Sequence, residues 1–335
     1  GLHPRPFLPT IPVYRPFDTI RSQAINTETM PTKGALQSLL EAGEFVVTAE
    51  ITPKLTASPE DILAQAVPLR GLADAVNVTD GAGARVTMSS LAASALLVQE
   101  GIEPVLQMTC RDRNRIAIAA DLIGASALGI RNLLALSGDD PKTGDEPEAK
   151  PVFDLGSKDI MSLCRSLSAE GKTTSGRALA KPASLFVGAA DAPFDPPADW
   201  QPTGLLEKIA AGTQFVQTQF CFQPEVLQRY LARLEDFGVL EKTALIIGVG
   251  PIASAKSARW MDANLYGVSI PDETIKRLEN AEDEAAEGLR IGVELIETYR
   301  DMPGVSGVHV MSPAQGSRRT AEVIEQSGVL SRRES

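Results

Sequence analysis

An apolar run, a glycine and two carboxylates follow one another in Leu133-Leu134-Ala135-Leu136-Ser137-Gly138-Asp139-Asp140-Pro141. A strand buried in a parallel sheet is a continuous apolar run of this kind. The working groups of α/β enzymes lie where such strands end. A second acid has the same context in Phe45-Val46-Val47-Thr48-Ala49-Glu50. Two acids at the ends of different strands predict a cleft in which protons and charge are handled.

Strand and helix patterns alternate along the chain outward from this stretch. The predicted strands are the apolar segments 45–50, 74–79, 104–109, 132–137, 184–189, 214–219, 243–249 and 306–310. Ser58 and Pro59 are typical of a helix start, because serine caps the first turn and proline fits its first position. Strand–helix pairs repeated in this way predict a (β/α)8 TIM barrel. A doubly wound sheet is the alternative, although it usually has fewer strands.

Three further features concern helices and loops. One predicted helix has an apolar face formed by Ile116, Ala119, Ala120 and Ile123. Residues 272–300 predict a single long, acidic, amphipathic helix. Segments 139–156 and 190–202 are rich in Pro, Gly and Asp and follow predicted strands, so we expect long loops that carry functional groups.

The domain organisation follows from these patterns. Residues 1–32 are rich in proline and have no helical or alternating pattern, so we expect an extended N-terminal arm. Residues 33–328 form the predicted barrel, and 329–335 a polar tail.

Composition excludes several classes of protein. A net charge of −11 argues against a general nucleic-acid or membrane-surface binder. No apolar run reaches the roughly 18 residues of a membrane span. The cysteines, Cys110, Cys164 and Cys221, are odd in number and widely spaced, so we expect neither disulfides nor a zinc site but a cytoplasmic protein.

The histidines restrict the possible chemistry further. His3 and His309 are the two histidines of the chain, and His3 falls in the predicted arm. A Ser-His-Asp triad or a multi-histidine metal site is therefore not expected, and acid–base chemistry falls mainly to carboxylates.

Five motifs at the predicted strand ends resemble the methylenetetrahydrofolate reductase family. In chain order they are 48–53 (TAEITP), 76–82 (VNVTDGA), 106–110 (LQMTC), 136–141 (LSGDDP) and 210–220 (AAGTQFVQTQF). Each motif alone is weak, but the ordered set covers about 40–315. The resemblance implies an FAD-bearing (β/α)8 barrel that interconverts 5,10-methylenetetrahydrofolate and 5-methyltetrahydrofolate in one-carbon and methionine metabolism.

The resemblance also implies roles for three polar residues. Glu50 is the expected general acid for folate N10, and its strand neighbours are apolar apart from Thr48. Asp139 is the expected acid beside flavin and pterin, where a fixed negative charge stabilises a cationic intermediate. Gln219 is expected to bind the pterin edge, because an amide offers both a donor and an acceptor.

Flavin contacts are implied in the same way, and no metal is expected. The residues that match the family's FAD site are Thr79, Asp80, Ala82, Gln107, Gly138, Asp139, Ser157 and Lys208. Lys208, expected in the first turns of its helix, would meet the pyrophosphate with help from the helix dipole.

Departures from the family pattern leave the electron donor open. Ser137 stands where NADH-dependent members often have arginine, Gln107 where they have histidine and Ala190 where they have tyrosine. Met261 aligns roughly with the aromatic residue that stacks on the nicotinamide cofactor, with Trp260 adjacent. The donor is therefore NADH, NADPH or a partner protein.

Two other functions stay open from the sequence alone. One is a folate- or flavin-binding subunit that needs a redox partner protein. The other is a different FAD barrel of the proline dehydrogenase type, which the Glu50, Asp139 and Gln219 motifs disfavour. For the reductase we expect a homo-oligomer.

Overall fold

The computed structural model describes residues 33–330. The predicted arm, 1–32, and the last five residues of the predicted tail, 331–335, lie outside the described residues, so the domain boundaries stay a prediction. Eight parallel strands, each hydrogen-bonded to the next, form a closed barrel in the order β1 to β8. The strands are β1 Val46–Ile51, β2 Ala75–Val78, β3 Pro104–Thr109, β4 Asn132–Leu136, β5 Phe186–Asp191, β6 Phe215–Phe220, β7 Ala244–Val249 and β8 Gly307–Val310. The predicted TIM barrel is confirmed, and every predicted strand overlaps an observed one.

Helices follow the strands and surround the barrel. They are α1 Ala35–Glu41, α2 Pro59–Ala66, α3 Ser90–Gln99, α4 Arg115–Ala127, α5 Ser157–Arg165, α6 Thr203–Ala211, α7 Pro224–Asp236, α8 Ala255–Asn264, α9 Asp272–Glu279, α10 Glu284–Arg300 and α11 Ser317–Ser327. The predicted start of α2 is confirmed, since the Ser58 side chain accepts a hydrogen bond from the Asp61 backbone N–H.

Two helix predictions were wrong. Segment 272–300 forms two helices, because Asp283 caps a new helix start by accepting a hydrogen bond from the Ala286 N–H. The apolar face predicted for α4 is not the packed one, since Ile116 is 76% exposed and Ile123 is 38% exposed. Ile118, Leu122 and Ala125 are buried instead. A helix that is apolar on several sides does not reveal from its pattern which side packs.

The N-terminal end of the barrel is a packed apolar plug. We call it the lower layer; it consists of Leu36 from α1 and strand residues Val46, Ala75, Val105, Leu134, Phe186, Phe215 and Ile246. The Phe186 and Phe215 rings stack with their centroids 5.0 Å apart. A Cβ atom on Gly188 would lie 2.4 Å from the Phe215 ring, so glycine is required there. Ligands can therefore enter the barrel from the opposite, C-terminal end.

Candidate active site

Two large cavities open at the C-terminal end of the barrel. The first, of about 460 Å³, is lined by strand residues and by loops that include Lys208 and Tyr266. The second, of about 680 Å³, is lined by Asp139 and by the loop that precedes α11. Glu50 and Gln219 line both cavities. The C-terminal ends of the strands thus supply the shared wall of the two cavities.

Glu50 is held by polar partners from two other strands. Its Oε2 accepts a hydrogen bond of 2.9 Å from Gln107 Nε2 and lies 3.5 Å from His309 Nε2. The Glu50 side chain keeps 24% of its surface exposed. The expectation of an apolar environment broken by Thr48 alone was therefore wrong, because β3 and β8 each bring a polar side chain to this carboxylate.

A buried polar layer lies directly below the cavities. We call it the upper layer; it consists of Thr48, Asn77, Gln107, Gln217 and His309, each at most 6% exposed. Hydrogen bonds of 2.6 Å and 3.0 Å join Asn77 on β2 to Gln217 on β6, strands on opposite sides of the barrel. These side chains therefore point into the barrel interior.

His309 is a site residue that the sequence reasoning missed. Its Nδ1 lies 2.9 Å from Thr48 Oγ1 and its Nε2 faces Glu50. A period of two along each strand could have identified it, because alternate side chains of a barrel strand face inward. Thr48 and Glu50 on β1 fit that period, as do His309 on β8 and Met311, which directly follows β8.

Asp139 and Gln219 reach the same cavity from different strands. Asp139 Oδ2 accepts a hydrogen bond of 2.8 Å from the Gly83 backbone N–H, which ties the loop after β4 to the loop after β2. Gln219 Oε1 accepts one of 2.9 Å from the Phe220 N–H. Both side chains line the 680 Å³ cavity together with Glu50. The structure therefore brings together the three residues predicted to act on substrate.

The predicted flavin contacts fall into several environments. Thr79 is 5% exposed, and its hydroxyl has no hydrogen-bond partner among the described residues. Ala82 lines the 680 Å³ cavity, and Gln107 lines the other. Gly138 has φ +92°, and a Cβ there would lie 2.9 Å from Thr109 Cβ, so the glycine allows this close packing.

Lys208 lies in the C-terminal turn of α6, and not in its first turns as the sequence predicted. It belongs to the last turn of α6, so the expected help from the N-terminal helix dipole does not apply to its backbone position. Its Nζ extends back to the Ala190 carbonyl, at 2.7 Å, and lines the 460 Å³ cavity. The ammonium group is thus available to a ligand in that cavity.

Asp80 and Ser157 line neither of these two cavities, although Asp80 lines a smaller one of about 260 Å³. Asp80 accepts hydrogen bonds from Ser90, Thr109 and Arg113. Burial raises the pKa of Asp80, but the Arg113 guanidinium and the Thr109 donors outweigh it and hold the pKa below its usual value. Ser157 is the first residue of α5 and lines neither cavity.

The aromatic residues near the mouth differ from the sequence-based alignment. Met261 is 5% exposed and packs into the core under α8, so it cannot face a cofactor. Trp260 is 58% exposed and lines neither cavity, whereas Tyr266 is 90% exposed and lines the 460 Å³ cavity. Phe194, which is 41% exposed, lines the same cavity, so Tyr266 is the more exposed of two aromatic rings at this mouth.

Residues 35–328 match the family model described as methylenetetrahydrofolate reductase. The chain belongs to the methylenetetrahydrofolate reductase family. The resemblance of the five motifs is thereby confirmed. No helix in the part of the chain that the structure describes is long and apolar enough to span a membrane.

Two curated relatives in this family are longer than this chain. Methylenetetrahydrofolate reductase 2 of Schizosaccharomyces pombe is 28% identical over 260 residues, which cover 75% of this chain and 40% of that protein. A probable methylenetetrahydrofolate reductase (NADPH) of Caenorhabditis elegans is 27% identical over 254 residues, which cover 73% of this chain and 35% of that protein. The chain therefore spans about two fifths or less of the length of these relatives.

One solved structure shares the barrel. It is an uncharacterised protein from Clostridium thermocellum whose description states that it binds two copies of 5-methyl-5,6,7,8-tetrahydrofolic acid. The TM-score is 0.61 with 15% sequence identity, and the alignment covers 88% of this chain and 97% of that one. At this identity the likeness supports the fold alone.

Proposed function

We propose that this chain is an FAD-dependent methylenetetrahydrofolate reductase that interconverts 5,10-methylenetetrahydrofolate and 5-methyltetrahydrofolate. The observation that carries the proposal is the convergence of Glu50, Asp139 and Gln219, at the ends of β1, β4 and β6, on one cavity of about 680 Å³. Family membership supplies the reaction class. We further propose that the chain acts in the cytoplasm as a homo-oligomer, in one-carbon and methionine metabolism.

Two observations fit a bound flavin. The buried Thr79 hydroxyl lacks a partner among the described residues, and a buried hydroxyl without a partner costs stability. The Lys208 ammonium, held by one backbone carbonyl, lines a cavity and can pair with an anionic group such as a pyrophosphate. Thr79, Ala82, Gln107 and Lys208 would hold the cofactor, whereas Gly138 lines neither cavity and stays a prediction of the resemblance. When bound, FAD supplies or takes up the hydride.

Asp80 and Ser157 remain predictions of the resemblance without such support. The Asp80 carboxylate is already satisfied by protein donors, and Ser157 lines neither cavity.

The side chains account for the proton and the charge of the reaction. In the direction of reduction, the bond between the methylene carbon and folate N10 breaks, and its electron pair goes to N10. Glu50 delivers a proton to N10 and becomes a carboxylate. The resulting 5-iminium cation is stabilised by the negative charge of Asp139. In the reverse direction, Glu50 takes the proton from N10.

Steady-state turnover tests this proposal against the two alternatives. The purified chain should reduce an artificial dye with 5-methyltetrahydrofolate and form 5,10-methylenetetrahydrofolate, with no added protein. Dye reduction that requires a second protein would instead identify a folate- or flavin-binding subunit. Dye reduction by proline, and not by the folate, would identify an enzyme of the proline dehydrogenase type.

A further inference from the structure

Loops from two strands that are not neighbours meet above the end of β3. We call them the β2 loop, residues 79–89, and the β4 loop, residues 137–156. β3 lies between β2 and β4 in the barrel, so the loops reach each other across the residues that follow β3. The Gly83 backbone N–H donates to Asp139 Oδ2 at 2.8 Å. Asp139 lines the 680 Å³ cavity, so this contact between the loops also sets where its charge lies.

The part of the β2 loop that holds Asp139 is a strained turn, residues 81–84. Gly81, Gly83 and Ala84 have φ values of +59°, +66° and +55°. All three lie in the left-handed region, which is costly for alanine and persists only where the surroundings hold it. The Val86 N–H, just beyond the turn, donates to both carboxylate oxygens of Asp145, at 3.0 Å and 3.1 Å. This contact holds one end of the turn and leaves the Gly81 end to another group.

Arg111 fills the space beneath the two loops. It is the second residue after β3, and 5% of its surface is exposed. A Cβ on Gly138 would lie 3.0 Å from Arg111 Cβ, and a Cβ on Gly81 would lie 2.6 Å from Arg111 Nη2. The arginine is therefore packed between one glycine of each loop.

Hydrogen bonds fix the Arg111 guanidinium against the Gly81 end of the turn. Nε and Nη2 each donate to one carboxylate oxygen of Asp112 at 2.8 Å, which sets the plane of the group. Nη1 donates to the Gly81 carbonyl at 3.1 Å. The hydrogen bonds to Asp112 raise the pKa of Arg111 more than burial lowers it, and the nearby charge of Asp139 also raises it. The charges of Arg111 and Asp139 therefore lie close together.

We propose that Arg111 is a positioning residue: it holds the turn 81–84 in place, and the Gly83 N–H of that turn then fixes the Asp139 carboxylate at the wall of the 680 Å³ cavity. Arg111 lines neither of the two large cavities, so its effect on a ligand is indirect. The effect on the turn does not depend on the reaction, whereas the effect on folate turnover rests on the proposed function.

Hydrogen exchange at the Gly83 amide, measured by NMR, tests the effect on the turn without any ligand. Arg111→Met keeps the length of the side chain but removes its charge and its donors, so we expect this amide to exchange about tenfold faster than in the wild type. The control is Arg85→Met, which removes an exposed positive charge from the same loop and should leave the exchange unchanged. Unchanged exchange in Arg111→Met, or equal acceleration in Arg85→Met, would overturn the proposal.

A double-mutant cycle tests whether Arg111 acts through Asp139. With methyltetrahydrofolate as substrate, we expect Arg111→Met to lower kcat roughly threefold to tenfold with little change in KM, because Asp139 stabilises a charge that develops during the reaction. In the Asp139→Asn background, Arg111→Met should lower kcat no further, since the group that it positions is already lost. Equal factors in the two backgrounds, or a loss that falls on KM alone, would overturn the role through Asp139.

Arg111→Lys keeps the positive charge and serves as a second variant if Arg111→Met does not fold. Lysine lacks the planar fork that engages Asp112 and Gly81 together, so we expect the same two changes at a smaller size. No change in either measurement would again overturn the proposal. If the wild-type chain does not oxidise methyltetrahydrofolate at all, the proposed function fails instead, and the exchange of the Gly83 amide still decides whether Arg111 holds the turn.

Discussion

The lower and upper layers of the barrel interior are built from the same strands but have opposite chemistry. On β6, Phe215 of the lower layer and Gln217 of the upper layer are two residues apart, and both point inward. The lower layer is apolar and is sealed by Leu36 of α1, whereas the upper layer is a hydrogen-bonded polar network below two cavities. The backbone is common to both layers, so the side chains alone decide which end stabilises the fold and which end reacts.

The first test of the difference between the two ends changes Glu50, at the C-terminal end of the barrel, and leaves the lower layer intact. We expect Glu50→Gln to slow the folate half-reaction by roughly 10²–10⁴-fold, because the amide cannot deliver a proton to N10. Stability should stay close to that of the wild type. Stopped-flow mixing with methyltetrahydrofolate measures the rate, and urea unfolding measures the stability.

Glu44→Gln is the matched control for Glu50. Glu44 is exposed and lies just before the other end of β1, so its substitution should change neither rate nor stability. If Glu50→Gln keeps its folate rate, or if Glu44→Gln loses it equally, Glu50 is not the acid.

The converse change removes packing from the lower layer. Phe215 is fully buried and stacks on Phe186. Phe215→Ala should lower the free energy of unfolding by about 3–5 kcal/mol, since it removes buried surface and leaves a cavity. The folate affinity of the molecules that remain folded should be unchanged. A large loss of affinity without a loss of stability would show that the two layers are not independent.

We expect substitution of Asp139 to slow folate turnover less than substitution of the general acid Glu50. We expect Asp139→Asn to slow folate turnover by roughly 10–100-fold, because it removes a fixed charge that stabilises the iminium cation. It should also raise the flavin reduction potential, since loss of a nearby negative charge favours uptake of electrons. The control is Asp140→Asn. Asp140 follows Asp139 in the chain, and its side chain accepts a hydrogen bond from the Lys142 backbone N–H. An unchanged potential together with unchanged turnover would place Asp139 away from the flavin.

The smallest expected effect concerns the electron donor. Ser137 and Ala190 replace groups that shape a nicotinamide site in relatives, so we expect slow flavin reduction by NADH with a high apparent KM. Tyr266 is the more exposed of the two aromatic residues, Phe194 and Tyr266, that line the 460 Å³ cavity, and stacking on its ring is worth about 0.5–1.5 kcal/mol. Tyr266→Ala should therefore raise that KM roughly two- to tenfold.

Trp260→Ala removes an exposed ring that lines neither cavity, and it should leave the KM for NADH unchanged. Rapid, saturable reduction of the wild-type flavin by micromolar NADH would show that the substitutions at Ser137 and Ala190 are compensated.

The sequence predicts the lower layer and the strand ends better than the upper layer. Buried parallel strands are long apolar runs, so the eight strands, Glu50 and Asp139 could be located from pattern and motif. His309 was placed on a predicted strand, but its contact with Glu50 depends on two strands far apart in sequence, β1 and β8, becoming neighbours. The break at Asp283 was missed because the apolar pattern of 272–300 continues across it.

We propose that the C-terminal end of this barrel transfers a hydride between folate and flavin without another protein. Anaerobic mixing of the purified chain with 5-methyltetrahydrofolate, followed through the visible absorbance of the flavin, tests it most directly. We expect the flavin of the wild type to be bleached, with no pyridine nucleotide and no added protein. A chain that binds the folate but contains no flavin, or whose flavin stays oxidised, would contradict it.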